Sequence, residues 1–389
     1  MPAPTSRPPL WLAAAAVASF WAAVFGFVRL TRMFLDDPFA NDFRVFYAAA
    51  KVGLQAGWSH IYDGNLLRAA SVAFPIQDSG IDSAHYYVNP PLLAWIVAPL
   101  TAFPEPVAFA VWTVLGLGAF IVAWWVACPF TGLARFTLLL AGLALWSVNE
   151  SLRFGQPTLL LMALVAVAWQ QTRQGRPWVA GALLAVAVML KPQDVILVPV
   201  AVLVSGRMPV FTSFLGWAVA LSIASVLSVG SAGIHDYVGA AALVQADPMH
   251  YYDTAAYVFG IGPGAYAVEI GLGALAMAVA YLRRAELETV FALGILGSVM
   301  ASPHMHELDY SVDLLAVWLV LRTGPSLAHR LWILAGVPAC QFTSLAIGNP
   351  LPELAWQLGW LGILGREAMA RTRPGLIPVE RAAGPAETR

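Results

Sequence analysis

The chain reads as an all-α protein, a polytopic membrane helical bundle, and three observations carry that reading. Of its 389 residues, 59% are hydrophobic, where soluble domains hold roughly 45–50%. Only 11% are charged, against about 25% in soluble domains. The apolar residues also fall into about thirteen separate runs, the pattern of a chain that threads a bilayer repeatedly. A net charge of -1 leaves no basic footprint for a phosphodiester backbone, so nucleic acid is excluded as a partner. The two cysteines, Cys128 and Cys340, lie far apart in apolar runs and support neither a disulfide framework nor a zinc site.

The first run, Leu10 to Leu30, is too long for a signal-peptide core and lacks a small-x-small cleavage site, so it is expected to be an uncleaved first span. A long external loop follows, residues 36–91. Within it Asn41-Asp42-Phe43-Arg44-Val45-Phe46-Tyr47 and the alanines behind it form a pattern suited to a short interfacial helix, with Gly57 as its stop. Leu92 to Phe103, set between Pro90-Pro91 and Pro104, measures roughly 18 Å as a helix, short of a hydrocarbon core of about 30 Å. It is read as re-entrant or interfacial.

The remaining runs are Val107 to Ala127, Phe136 to Val148, Thr158 to Trp169, Trp178 to Leu190, Val195 to Val204 and Val210 to Val229. After them come Gly264 to Leu282, Val290 to Met300, Val312 to Leu321, Leu331 to Ile347 and Leu351 to Leu364. The Arg-rich joints at Arg135, Arg173 and Arg176, Arg207, Arg283 and Arg284, and Arg322 and Arg330 belong inside by the positive-inside rule. About twelve crossings with both termini inside satisfy that rule. Residues 1–370 then form the membrane domain, and 371–389, rich in Arg, Pro, Ala and Glu, read as a disordered cytoplasmic tail.

This topology puts the loops around Asp42, Asn149 to Pro157, Lys191 to Asp194, Ser231 to Pro263 and Ser302 to Asp309 on one external face. Asp42, beside aromatic and aliphatic residues, suits either a helix cap or a partly shielded general base. His85-Tyr86-Tyr87-Val88-Asn89-Pro90-Pro91 offers Tyr87 and Asn89 to a carbohydrate pocket. Asn149, Arg153 and Gln156 sit in one external joint, and Lys191 and Gln193 in the next. Lys191 and Arg153 are the cations that a phosphate leaving group requires, although a lone Lys at a helix end also snorkels to headgroups. His304, His306 and Asp309 lack the spacing of a zinc site, so no metal is expected, and hydrogen bonding to a phosphate or sugar suits them better.

In order and spacing, these motifs resemble the polyprenol-phosphate-sugar-dependent transferases of the GT-C class, most closely glycosyltransferase family 87. The resemblance rests on Asp42-Phe43-x-Val45-x-Tyr47-Ala48-Ala49 with Gly57 and Tyr62-Asp63, and on Asn89-Pro90-Pro91-Leu92 with Pro99-Leu100. It also rests on Gly155-Gln156-Pro157, Lys191-Pro192-Gln193, and Ser302-Pro303-His304 with Asp309, over residues from about 40 to 320. It implies a GT-C-like helical membrane fold with interfacial helices in the first external loop. The implied activity is inverting transfer of a hexose, mannose-like, from a polyprenyl-phosphate donor to a lipid or glycan acceptor.

The implied setting is the external side of a bacterial plasma membrane. Asp42 matches the first-loop base; Lys191, Arg153 and His304 would face the donor phosphate. Tyr47, Tyr87, Asn89, Asn149, Gln156, Gln193, His306 and Asp309 would line the sugar and acceptor pocket. No cofactor is implied. The main rival from another class is a transporter or flippase of lipid-linked sugars, which predicts ionisable residues in mid-span and a path to both faces. A transferase using a pyrophosphate-linked donor and a non-catalytic assembly subunit are further rivals.

Overall fold

The computed structural model of the protein describes residues 8–36, 41–73, 86–246, 253–344 and 349–372, and among these every regular element is helical. His85 and the tail from residue 373 lie outside the described residues. Helix α1 (Leu10–Asp36) runs past the expected end at Leu30. It packs on α6 (Gly132–Ala144) and leaves most of its apolar surface exposed, including Trp11, Trp21, Phe25 and Phe27. Helix α2 (Asn41–Gln55) forms where a short helix was expected, and Phe43 through Ala50 are all buried. A short α3 (Gly64–Ala70) follows, capped by Asp63, whose carboxylate accepts from the amides of Asn65 and Leu66.

Helix α4 (Pro91–Val97) continues as a 3-10 turn to Ala102, so the expected short helix begins at the paired prolines, where a missing N–H costs nothing. Helix α5 (Glu105–Ala127) is long and apolar. The run expected over Phe136 to Val148 is in fact two helices, α6 and α7 (Trp146–Phe154), bent by 58°. Asn149 to Phe154, expected in a loop, are therefore helical. The helix they belong to, WSVNESLRF, is too polar to read as a span, and what it buries is mixed: Ser147, Glu150 and Ser151 as well as Val148 and Leu152.

Helices α8 (Thr158–Arg173), α9 (Pro177–Leu190), α10 (Pro192–Val195) and α11 (Leu197–Val204) follow, with α10 and α11 forming one apolar helical stretch, Pro192–Val204. Helix α12 (Met208–Ala246) corrects a second expectation, because residues 231–246 continue the helix beyond Val229 instead of opening a loop. At Gly230 a non-helical φ of 61° and ψ of -171° kink the chain, so that the range comprises two helical arms joined at this residue. Glycine enters that region without the steric penalty other residues carry. After α13 (Ala256–Phe259) and α14 (Pro263–Leu282) comes α15 (Leu287–Met300), buried at every residue except Glu288. A helix apolar on all sides belongs at the centre of a bundle. Helix α15 contacts α11, α14 and α16 (Asp313–Arg322). Helices α17 (Leu327–Ser344) and α18 (Leu351–Thr372) pair through reciprocal bonds from Trp332 Nε1 to Trp356 O at 3.1 Å and from Trp356 Nε1 to Trp332 O at 2.8 Å.

Among the described residues, four helices, α1, α5, α12 and α14, are long and apolar enough to cross a bilayer, and α6 with α7 would make a fifth. The two ends of the bundle differ in chemistry. At one end the Arg-bearing joints meet: Arg207 Nη1 donates to Arg284 O at 2.9 Å, Arg173 lies 3.8 Å from Glu288, and Arg322 donates to Cys128 O at 3.2 Å. At the other end the joints carrying Asp42, Gln156, Lys191 and His304 come together.

Candidate active site

The site is built from helix ends. Helix α2 is clamped to the first residue of α5 by the buried pair Arg44 Nε–Glu105 Oε1 at 3.1 Å and to the connection before α5 by Tyr47 OH donating to Phe103 O at 2.7 Å. This clamp fixes Asp42 in the first turn of α2. Gly155 caps α7 in the left-handed region, φ 74°, and a Cβ there would come within 2.6 Å of Phe43 Cβ. Glycine alone satisfies both conditions, and it brings the next residue, Gln156, against Asp42. Lys191 stands before Pro192, which opens α10, and a residue before proline is held extended.

The polar groups form one chain. Gln156 Nε2 donates to Asp42 Oδ2 at 2.6 Å, and Lys191 Nζ donates to Gln156 Oε1 at 3.0 Å. The same ammonium makes a close ion pair with Asp309 Oδ1 and lies 3.9 Å from Asp194 Oδ2, which accepts from Thr158 Oγ1 at 3.2 Å. Asp309 Oδ2 accepts from His306 N at 3.2 Å, and Ser302 Oγ donates to His304 O at 2.7 Å. The two imidazoles meet edge to face, 5.1 Å between ring centres. Lys191, Asp194 and Asp309 are buried, whereas Asp42 is half-buried at the edge of a cleft.

That cleft has a volume of about 300 Å³ and is lined by Asp42, Asn89, Gln156, Lys191, Gln193, His304 and His306, among others. Burial raises the Asp42 carboxyl from 3.8 to about 6, against the opposing pull of the Gln156 hydrogen bond and the Lys191 charge. Such a group is mostly ionised at neutral pH and basic enough to take a proton, the balance that general-base chemistry needs. Among the described residues, no group of three or more His, Cys, Asp or Glu is arranged to hold a metal ion.

Five sequence-expected positions lie elsewhere. Arg153 Nη1 pairs with Glu150 at 3.0 Å and, with Asn149 and Arg29, lines a separate small recess. Asn149 Nδ2 donates to Leu143 O and Leu145 O, bracing the bend between α6 and α7. Tyr47 is buried on its bond to Phe103. Tyr87, also buried, donates to Pro90 O at 2.7 Å and stacks on Tyr62 at 5.5 Å, shaping the corner that presents Asn89. Asp309 sits behind Lys191.

Conversely, Tyr86, Tyr237 and Gln245 line the cleft without having been singled out. Tyr237, Ala241, Val244 and Gln245 follow the i, i+4, i+7, i+8 spacing of one helical face. That signal was present in a stretch read as loop.

Glycosyltransferase family 87 matches residues 87–303, more than half of the chain. The chain belongs to this family. It is accordingly a membrane glycosyltransferase acting between a sugar donor and an acceptor. No curated protein and no solved structure matches the chain significantly. The family 87 match takes in Asn89, Gln156, Lys191 and Gln193, while Asp42, His304, His306 and Asp309 fall outside it.

Proposed function

We propose that this family 87 member transfers a hexose, mannose-like, from a polyprenyl-phosphate to a lipid or glycan acceptor at the external face of a bacterial plasma membrane. The observation that carries the reading is Asp42, a carboxylate with a pKa of about 6, opening onto a cleft shared with His304, His306, Asn89 and Gln193. The acceptor hydroxyl gives its proton to Asp42 as its oxygen bonds the anomeric carbon. The bond from that carbon to the phosphate oxygen breaks, its electron pair leaves with the lipid phosphate, and the configuration inverts. His304 donates to the departing phosphate, an interaction that strengthens as charge develops there. Asn89, Gln193 and His306 supply hydrogen bonds to the sugar and acceptor. Because the leaving group is a single phosphate, no divalent metal is required.

A GT-C-like arrangement with about twelve crossings accompanies this reading. What supports it is the alternation of helices between the arginine end and the cleft end of the bundle. The test is to incubate the protein in proteoliposomes with radiolabelled polyprenyl-phosphate mannose or glucose and a membrane extract. Label should pass to a lipid or glycan, and Asp42→Asn should lose roughly 10²–10⁴ in rate. Wild-type transfer by that variant, or transfer from neither donor, overturns the proposal.

A further inference from the structure

We infer that Lys191 and Gln156 are positioning residues for the base Asp42 rather than ligands of the donor phosphate, an inference that rests on the function proposed above. An ammonium has only donors, whereas a carboxamide has one of each kind at its two ends. With Lys191 Nζ 3.0 Å from Gln156 Oε1, the amide oxygen must face the lysine, so its NH₂ must face Asp42 Oδ2, 2.6 Å away. The reverse orientation would set NH₂ against ammonium and oxygen against carboxylate. Lys191 thus decides which way Gln156 points, and Gln156 occupies one oxygen of Asp42, leaving Oδ1 for an acceptor hydroxyl.

The lysine is fixed in turn. Its Nζ is ion-paired with Asp309 and near Asp194, each a buried carboxylate with a further bond of its own to His306 N or Thr158 Oγ1. An ammonium already sharing its charge with two carboxylates is poorly placed to neutralise a third anion. The charged and titratable groups facing Asp42 are Lys191 and Asp309, with Asp194 behind Lys191, and His304, His306, Tyr86 and Tyr237 around the same cleft. Removing either the lysine charge or the amide N–H therefore destabilises the ionised base.

The measurement is the pH profile of transfer with saturating donor, alongside equilibrium binding of farnesyl phosphate as the probe of phosphate recognition. In Lys191→Gln and Gln156→Leu we expect kcat to fall about 10- to 100-fold, the scale of a hydrogen bond to a charged group. The acid limb should move to higher pH, and farnesyl phosphate affinity should stay within about twofold, too small a change for a lost phosphate contact. Lys191→Arg should restore part of the limb's position. Should Lys191→Gln fail to fold because two carboxylates lose their counter-charge, Gln156→Leu, which keeps Lys191 on Asp309, carries the test.

A loss of farnesyl phosphate affinity of about tenfold or more in Lys191→Gln or, where that variant does not fold, in Gln156→Leu overturns the inference, since a loss that large is the signature of a direct phosphate contact. An acid limb that does not move overturns it as well. Asp42→Asn in the same assay separates the two proposals. Retained transfer there removes the base itself; a dead Asp42→Asn with an unmoved limb in the other variants removes only the positioning role.

Discussion

At the scale of single residues, Asp42 has two pH signatures. As the base it must be ionised, so kcat/KM should hold above about pH 6 and fall roughly tenfold per pH unit below it. An acid limb centred near the ordinary aspartate value of 3.8 would sink the assignment. Stability responds in the opposite sense. Between 3.8 and about 6 the folded chain holds a proton that the unfolded chain has released, so this carboxyl's contribution falls as pH rises through that window. Above it the buried charge remains unfavourable. Asp42→Asn should therefore melt no lower than the parent at pH 7.5, separating loss of activity from loss of fold.

At the scale of elements, the position of Asp42 depends on how α2 is held. The Arg44–Glu105 pair is buried, and a buried pair deprived of one partner costs about 3–5 kcal/mol, whereas replacing both by apolar residues is often neutral. Glu105→Ala alone should lower the melting temperature and depress transfer by loosening the first turn of α2. The double variant Arg44→Met with Glu105→Leu should recover most of the stability. Equal melting temperatures for the single and double variants, measured in detergent, would show that the ion pair does not hold α2. Helix α12 illustrates the same dependence of chemistry on element geometry. Its bend at Gly230 returns Tyr237 and Gln245 to the cleft wall, where Gln245 donates to Pro303 O at 3.3 Å and Tyr237 meets Tyr62 edge-on.

At the scale of the whole molecule, the segregation of arginine joints from the cleft end makes a topological prediction. In a background with Cys128 and Cys340 replaced by Ala, His60→Cys should react with a membrane-impermeant maleimide in intact cells. Arg176→Cys should react only after the membrane is opened. Labelling of both in intact cells, or the reverse order, would place the cleft on the wrong side for an external acceptor. The large apolar exposure of α1 and of the first half of α12 matches surface in contact with lipid chains, because nothing among the described residues covers it.

Composition and hydropathy alone determined that this is a helical membrane protein. Such bulk properties need no knowledge of contacts: too many apolar residues in too many separate runs leave a bilayer as their only solvent. Proline and glycine were equally legible where they act locally, as at Pro90-Pro91 opening α4 and Gly57 ending α2. The site was legible in its parts. Asp42, Asn89, Gln156, Lys191, Gln193, His304 and His306 were all marked by polarity in an apolar chain, and all border one cleft. Only the tertiary structure decided which of their neighbours stand apart. Arg153 lies three residues from Gln156 in sequence, but Arg153 is in the last turn of α7 and Gln156 follows the left-handed Gly155 that ends it, so the guanidinium pairs with Glu150 while the amide reaches Asp42. Lys191 looked like a cation awaiting a phosphate because Asp309, its counter-ion, lies more than a hundred residues away along the chain. Charge pairing across such distances is set by helix packing, and no local pattern of residues encodes it.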